Sequence, residues 1–365
     1  MDGLTLVHTH GGGQGRAVIL ADSKELEAGR AVFLWLIAVA LMVALMMLIG
    51  AITRLTESGL SMVEWRPLIG ALPPLSEAEW YRVFDLYRQT SEYRLENAGM
   101  TLPEFKTIFW WEYIHRFWGR LIGLVFALPF FWFLWRGHIP RPLKPHLFVL
   151  LTLGGLQGVI GWWMVKSGFV DRHDVSQYRL TLHLTMAFLI FGYLIWLIAN
   201  FIERAAPVPT TPVSLRRSAI GFLLLVTLTV MSGGLVAGLG AGFDYNTWPL
   251  MADALVPVGL YDGNPWWLAV FEDILTVQFD HRMLAYLTFG SAMFLWWRSR
   301  EISASRWQYQ CHLAIVIAVS LQLLLGIATL LSAVSLPLAV LHQAGAIFLF
   351  SCTVLTCHSC RRARS

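Results

Sequence analysis

Four histidines of this 365-residue chain recur in fixed company. Glu112-Tyr113-Ile114-His115-Arg116 is matched downstream by Gln278-Phe279-Asp280-His281-Arg282. A glutamine follows each at nearly the same distance along the chain, Gln157 in GGLQGVIGWW and Gln322 in SLQLLLGIAT. A second histidine then follows, His183 in LTLHLTMA and His342 in LAVLHQAGA. Imidazole ligates haem iron, zinc and copper. Two imidazoles facing each other across a helical bundle are what an axially bis-ligated haem requires. Zinc and copper usually take three or four N, S or O ligands in a compact cluster. Each half here offers two histidines, and only the first adds a carboxylate three residues from one of them. The aromatic neighbours Phe109, Trp110, Trp111, Phe117 and Trp118 suit a flat porphyrin. For any one of the four, a hydrogen-bonded core histidine is the bland alternative. Identical pairing within a repeat favours haem.

Glu112 is the informative asymmetry, because its counterpart is the uncharged Gln278. It lies one turn before His115, on the same helix face. A carboxylate there could transfer a proton or stabilise a developing cation. It could equally form an ion pair with Arg116 or Arg120. An acid in only one half suggests one catalytic haem site and one that carries electrons or structure. Arg116, Arg282 and Arg54 could pair with propionate carboxylates, or snorkel to the interface. His8, His10, His138, His146, His173, His312 and His358 read as surface or interfacial residues. Cys357 and Cys360 have metal-like spacing, but a lone pair at a chain end is usually incidental.

The elements that must position these residues are membrane helices. Hydrophobic residues make up 56% of the chain and charged ones only 14%, with mean hydropathy +0.59. A soluble domain carries nearer a quarter of its residues charged. Residues 31–52 contain no charge, enough to span ~30 Å of hydrocarbon as a helix. Segments near 112–135, 146–165, 180–202, 218–238, 276–297, 311–331 and 335–356 read the same way. The fold class is therefore all-α integral membrane, with eight transmembrane helices as two pseudo-symmetric four-helix bundles.

Residues 1–30 read as a cytoplasmic tail, 31–205 as the first bundle and 206–365 as the second. The proline-rich stretch 203–217 reads as the linker between them. Arg136, Arg141, Lys144, Arg216, Arg217, Arg298 and Arg300 gather in one set of loops, whereas loops 239–275 and 332–334 hold no Lys or Arg. By the positive-inside rule both termini are cytoplasmic. All four histidines then lie in the outer third of their helices. The acidic N-terminal stretch resembles neither a signal peptide nor a transit sequence, so a bacterial plasma membrane is the simplest home. The net charge of +4 is explained by the inner loops and implies no nucleic acid.

The stretches GAITRLTESGLSMVEWRPLIGALPPLSEAEW, EFKTIFWWEYIHRFWGRLIG, QGVIGWWMVKSG, FDYNTWPLM, QFDHRMLAY and LHQAG resemble haem A synthase of the alphaproteobacterial and mitochondrial branch. The resemblance spans about residues 30 to 350. It implies oxidation of the C8 methyl of haem O to the formyl of haem A by two successive hydroxylations, the geminal diol losing water. It also implies His115 and His183 as ligands of the haem O site, and His281 and His342 as ligands of a b-type haem. Glu112 matches the acidic residue of the family's Glu-x-x-His motif. Implied partners are haem O, delivered by haem O synthase, an electron donor of unknown identity and membrane lipid; a homo-oligomer is also allowed. Residues 53–111 lack the cysteine pair of some bacterial relatives, so no thiol role transfers to that loop. Its Ser76-x-x-Glu79 reads as the start of a short amphipathic helix, in a loop that lids the haem edge. Rival readings are a di-haem cytochrome b passing electrons between quinol and a partner, and a transporter built from a parallel repeat.

Overall fold

The computed structural model describes residues 23–64, 72–167, 175–202, 211–263, 265–303 and 305–361, with backbone alone at 23–28 and 167. Most of the expected tail, His8, His10, His173, much of the linker 203–217 and parts of loops 53–111 and 166–179 lie outside them. Among the described residues every regular element is helical.

Eight long helices cover the eight expected segments: α1 (Ser23–Leu55), α4 (Leu102–Trp135), α5 (Lys144–Ser167), α6 (Gln177–Ile202), α7 (Val213–Leu239), α9 (Ile274–Ile302), α10 (Arg306–Leu331) and α11 (Leu336–Ser359). Seven of them are long and apolar enough to cross a membrane. The exception is α9, 29 residues long, which carries Asp280, Arg282, Arg298, Arg300 and Glu301. Short helices lie between: α2 (Glu77–Tyr87), α3 (Ser91–Leu95) and α8 (Trp266–Glu272).

α4 starts well upstream of the expected residue 112. Thr101 fixes its start, the backbone N–H and hydroxyl each donating to Glu104 Oε2 at 2.7 Å. Its first turns are wet on one side, and on the other Phe105 and Phe109 pack against Trp80, Phe84 and Tyr87 of α2. The helix therefore carries a small aromatic core above the apolar span. α2 begins at the expected cap, with Ser76 Oγ accepting from the Glu79 N–H at 3.2 Å.

α1 packs on α4, α6 and α11, and α5 on α4 and α6; α7 packs on α6, α9 and α11, and α10 on α9 and α11. The closest approach of a described glycine to another helix's backbone is between α6 and α7. A Cβ at Gly238 would stand 2.6 Å from the Gln177 Cα, and one at Gly234 2.9 Å from Thr181 Oγ1. Small residues one turn apart let two backbones meet in a medium where no hydrophobic force drives helices together. Arg54, ending α1, donates to the last carbonyls of α7 at Ala237 (3.1 Å) and Gly238 (3.4 Å).

The main apolar core gathers residues of all eight long helices. On each histidine-bearing helix it follows the histidine: Phe126 and Phe130 on α4, Phe188 to Leu197 on α6, Ala292 and Leu295 on α9, Ile347 to Val354 on α11. The rigid packing thus lies beyond the histidines, and the histidines sit at its edge.

Candidate functional site

Each of the four histidines is half-buried and faces a glycine of the neighbouring helix. His115 meets Gly50 of α1, and His183 meets Gly161 of α5. His281 meets Gly233 of α7, and His342 meets Gly326 of α10. A Cβ at Gly161 would stand 2.9 Å from His183 Cε1, and one at Gly326 3.0 Å from His342 Cε1. At Gly233 the separation from His281 Cε1 is 3.2 Å, and at Gly50 the nearest ring atom, His115 Nε2, is 3.6 Å away. A methyl group at Gly161 would force the His183 ring to shift, and one at Gly326 would press on the His342 ring. Both glycines fall one turn after the repeated glutamines Gln157 and Gln322, a Gln-x-x-x-Gly spacing that is visible in the sequence once the contact is known.

The rings are matched in pairs. His115 and His183 lie within electrostatic reach of each other, as do His281 and His342. Gln157 Nε2 donates to the His183 carbonyl at 3.0 Å, whereas Gln322 Nε2 lies 3.5 Å from His342 Nε2. Nδ1 of His183 and Nδ1 of His342 are buried and meet no hydrogen-bond partner among the described residues. His281 Nδ1 lies 2.7 Å from Ser232 Oγ, which also lies 2.8 Å from the Thr229 carbonyl. With the hydroxyl hydrogen on that carbonyl, Ser232 accepts from the ring. That tautomer carries the proton on Nδ1 and leaves the Nε2 lone pair for a ligand.

Unpartnered imidazole nitrogens in an apolar bundle cost free energy unless something ligates them, and paired across a bundle they fit a haem iron. Among the described residues, no three or more His, Cys, Asp or Glu side chains gather as a metal cage. Cys311, Cys352, Cys357 and Cys360 are free thiols, all buried.

Glu112 is 2% exposed and forms an ion pair with Arg116. Its other oxygen, Oε2, accepts from Ser61 Oγ at 2.7 Å and from the Met62 N–H at 2.6 Å. Arg116 Nη2 also donates to the Met62 carbonyl at 3.0 Å. Of the two arginines the sequence offered, Arg116 is the partner and Arg120 is not. The four groups tie the loop after α1 onto α4.

The second half builds the same clamp without a carboxylate. Gln278 Nε2 donates to the Ala241 carbonyl at 2.6 Å, and Arg282 Nη2 to Gln278 Oε1 at 3.0 Å. Arg282 also donates to the carbonyls of Tyr245 (2.7 Å) and Thr247 (3.0 Å) in the loop after α7. Tyr261 adds a second tether, its hydroxyl donating to Asp280 Oδ1 at 2.6 Å. That hydrogen bond to a carboxylate, with burial, pushes the Tyr261 hydroxyl up to about 12. The arginines expected to meet propionates, Arg54, Arg116 and Arg282, thus each hold a helix end or a loop.

Two histidines read as surface residues are core residues instead. His312 and His358 are 0% and 1% exposed. The ends of α6, α7, α10 and α11 converge there. His312 Nδ1 lies 2.7 Å from the Gln308 carbonyl, and His358 Nε2 lies 3.0 Å from Asn200 Oδ1. His138 and His146 are exposed, as expected.

A model of the cytochrome oxidase assembly protein family COX15-CtaA matches residues 33–354. The chain is 48% identical over 327 residues to a heme A synthase of Parvibaculum lavamentivorans, covering 89% of this chain and 92% of the relative. It is 49% identical over 339 residues to a heme A synthase of Rhodospirillum centenum (93% and 90%). A heme A synthase of Bradyrhizobium diazoefficiens is 48% identical over 341 residues (91% and 92%).

Proposed function

The chain belongs to the cytochrome oxidase assembly family COX15-CtaA, and from that premise we propose that it oxidises haem O to haem A. The observation that carries the reading is the fourfold arrangement of a half-buried histidine against a neighbouring glycine, repeated in two matched pairs. His115 and His183 hold the haem O substrate, and His281 and His342 hold a resident b-type haem. The bound iron supplies the oxidative chemistry that no side chain can. The protein supplies position, water exclusion and charge.

The loop after α1, clamped by Glu112 and Arg116 at Ser61 and Met62, covers the substrate end of the first bundle. Glu112 stands one turn from His115, where a carboxylate stabilises positive charge developing on the substrate or accepts a proton as water adds. The eight long helices all span, in two bundles at 31–205 and 206–365, with both termini cytoplasmic and the home a bacterial plasma membrane. Haem O synthase delivers the substrate, and an electron donor completes the cycle. A reporter fused at residue 255 reads as external under this topology and one at 140 as internal; the reverse at either would overturn the span count.

The decisive experiment is mass spectrometry of porphyrins extracted from the purified protein. Haem B together with haem O, haem A or an oxidised intermediate is expected. Haem B alone, at two per chain, would make the protein an electron-carrying cytochrome and overturn the reading.

A further inference from the structure

Two arginines near the site have a buried nitrogen without a partner among the described residues, Arg282 at Nε and Arg120 at Nη1. Arg282 spends its other nitrogens on loop carbonyls and Gln278, whereas no hydrogen bond of the Arg120 guanidinium is seen there. Arg120 lies on α4 one turn inward of Arg116. The charge of Arg116 is answered by Glu112, Arg282 is spread over loop carbonyls, and Arg54 ends α7. Arg179, near the far end of α5, donates to the Trp163 carbonyl and stacks on its ring at 4.2 Å. The groups that act on Arg120 electrostatically are Arg116, a like charge, and the Tyr113 ring hydroxyl. Among the described residues no carboxylate forms an ion pair with it.

A cation at this position belongs to one half only. Arg120 follows His115 at the position where Tyr286 follows His281. The Tyr286 hydroxyl accepts from Trp248 Nε1 at 2.8 Å. Arg120 is also deep. It lies roughly 7 Å along the helix from His115, and roughly 22 Å from Trp135 at the other end. A guanidinium at that depth with a free nitrogen is expensive unless an anion or a strong acceptor meets it. Its planar fork suits an oxyanion with two oxygens.

We infer that Arg120 is a substrate-recognition residue whose guanidinium binds a propionate carboxylate of haem O. The inference rests on the functional reading above. It explains how two four-helix bundles with the same histidine frame accept different haems. The first offers a spare cation beside its ring pair, and the second offers at that position a neutral tyrosine engaged by Trp248. A phosphate of an anionic lipid has similar chemistry, and the test separates the two.

The full-length protein, purified with its b-type haem and placed in phosphatidylcholine nanodiscs, is titrated with haem O and with haem O whose propionates are methyl esters. The unaltered protein should prefer the free acid by about tenfold, the scale of one charge-assisted hydrogen bond. Arg120→Gln should bind the free acid about tenfold more weakly and no longer distinguish it from the ester. Arg120→Lys should recover part of the preference. The b-type haem content, unchanged in both variants, reports that the fold is intact. Equal binding of the free acid by Arg120→Gln and the unaltered protein would overturn the assignment. So would an equal loss for acid and ester, which marks a structural role. Loss of co-purifying phosphatidylglycerol in Arg120→Gln, with haem O affinity intact, would overturn it in favour of lipid. If the unaltered protein fails to take up haem O in any lipid, the proposed function itself falls, and this inference with it.

Discussion

The two halves of the molecule build one device from different parts. In the first, Glu112 and Arg116 fasten the loop after α1; in the second, Gln278 and Arg282 fasten the loop after α7. An amide does the second job as completely as a carboxylate does the first. The clamp therefore does not require a carboxylate. A buried carboxylate is costlier to place than an amide, even when paired. Its presence beside His115 alone points to work beyond holding a loop. The same contrast recurs one turn further in, with Arg120 in the first half and Tyr286 in the second.

The comparison breaks most sharply at the histidines. His281→Ala or His342→Ala should abolish the low-spin b-type absorbance and leave the first site able to take up haem O. Absorbance spectra and extracted porphyrins read the two sites separately. Equal emptying of both in a folded protein would show that the halves are not independent.

Glu112→Gln comes next. Its remaining oxygen can keep the hydrogen bonds from Ser61 and Met62, while its amide NH2 loses the contact with Arg116, because both oxygens of Glu112 accept. The variant should keep its helices and both porphyrins. Its haem A yield should fall by about 10²–10⁴-fold, the usual loss when a catalytic acid or base is removed. Extraction should show haem O or a hydroxylated intermediate accumulating. Normal haem A yield would return Glu112 to the role that Gln278 plays.

Ser232→Ala tests the tautomer of His281. Without the acceptor at 2.7 Å the ring is free to turn. Removing such an orienting partner commonly costs about 10–100-fold in affinity for the bound metal, so retention of the b-type haem during purification should drop by that order. The first half, where no matching serine contact is seen on His115 or His183 among the described residues, should be unaffected. Unchanged b-type haem would mean that packing alone orients His281.

The smallest effects lie at the glycines. Gly161→Ala puts a methyl 2.9 Å from His183 Cε1, whereas Gly50→Ala places one 3.6 Å from the nearest atom of His115. The first should cost about 1–3 kcal/mol through overpacking and lower the melting temperature measurably, with a shifted haem spectrum. The second should be close to silent. If both are silent, the rings have more freedom than the contacts indicate.

Much of this was legible in the residues. Apolar runs long enough to span hydrocarbon specify helices, because lipid offers the backbone no other partner. Six of the eight long helices lie on charge-free runs, and α4 and α9 on runs broken by Arg116 and Arg120 and by Asp280 and Arg282. The repeat marked His115, His183, His281 and His342, and the asymmetry marked Glu112, since a polar residue in an apolar segment needs a reason to be there. The early start of α4 was hidden because its first turns bear Glu104 and Lys106 and resemble a wet loop. Only the aromatic pocket of Trp80, Phe84 and Tyr87 makes them a helix.

Partnership was settled only by tertiary structure. A helix that is apolar on every side shows no face in its sequence, because lipid and core accept the same residues. The sequence therefore could not say that Gly161 and Gly326 meet imidazoles, nor that His312 and His358 turn inward. It could not choose between Arg116 and Arg120 as the partner of Glu112, since both lie within reach on one helix. That choice was made by Met62, far off in sequence, whose carbonyl and N–H draw Arg116 and Glu112 together and leave a nitrogen of Arg120 without a partner.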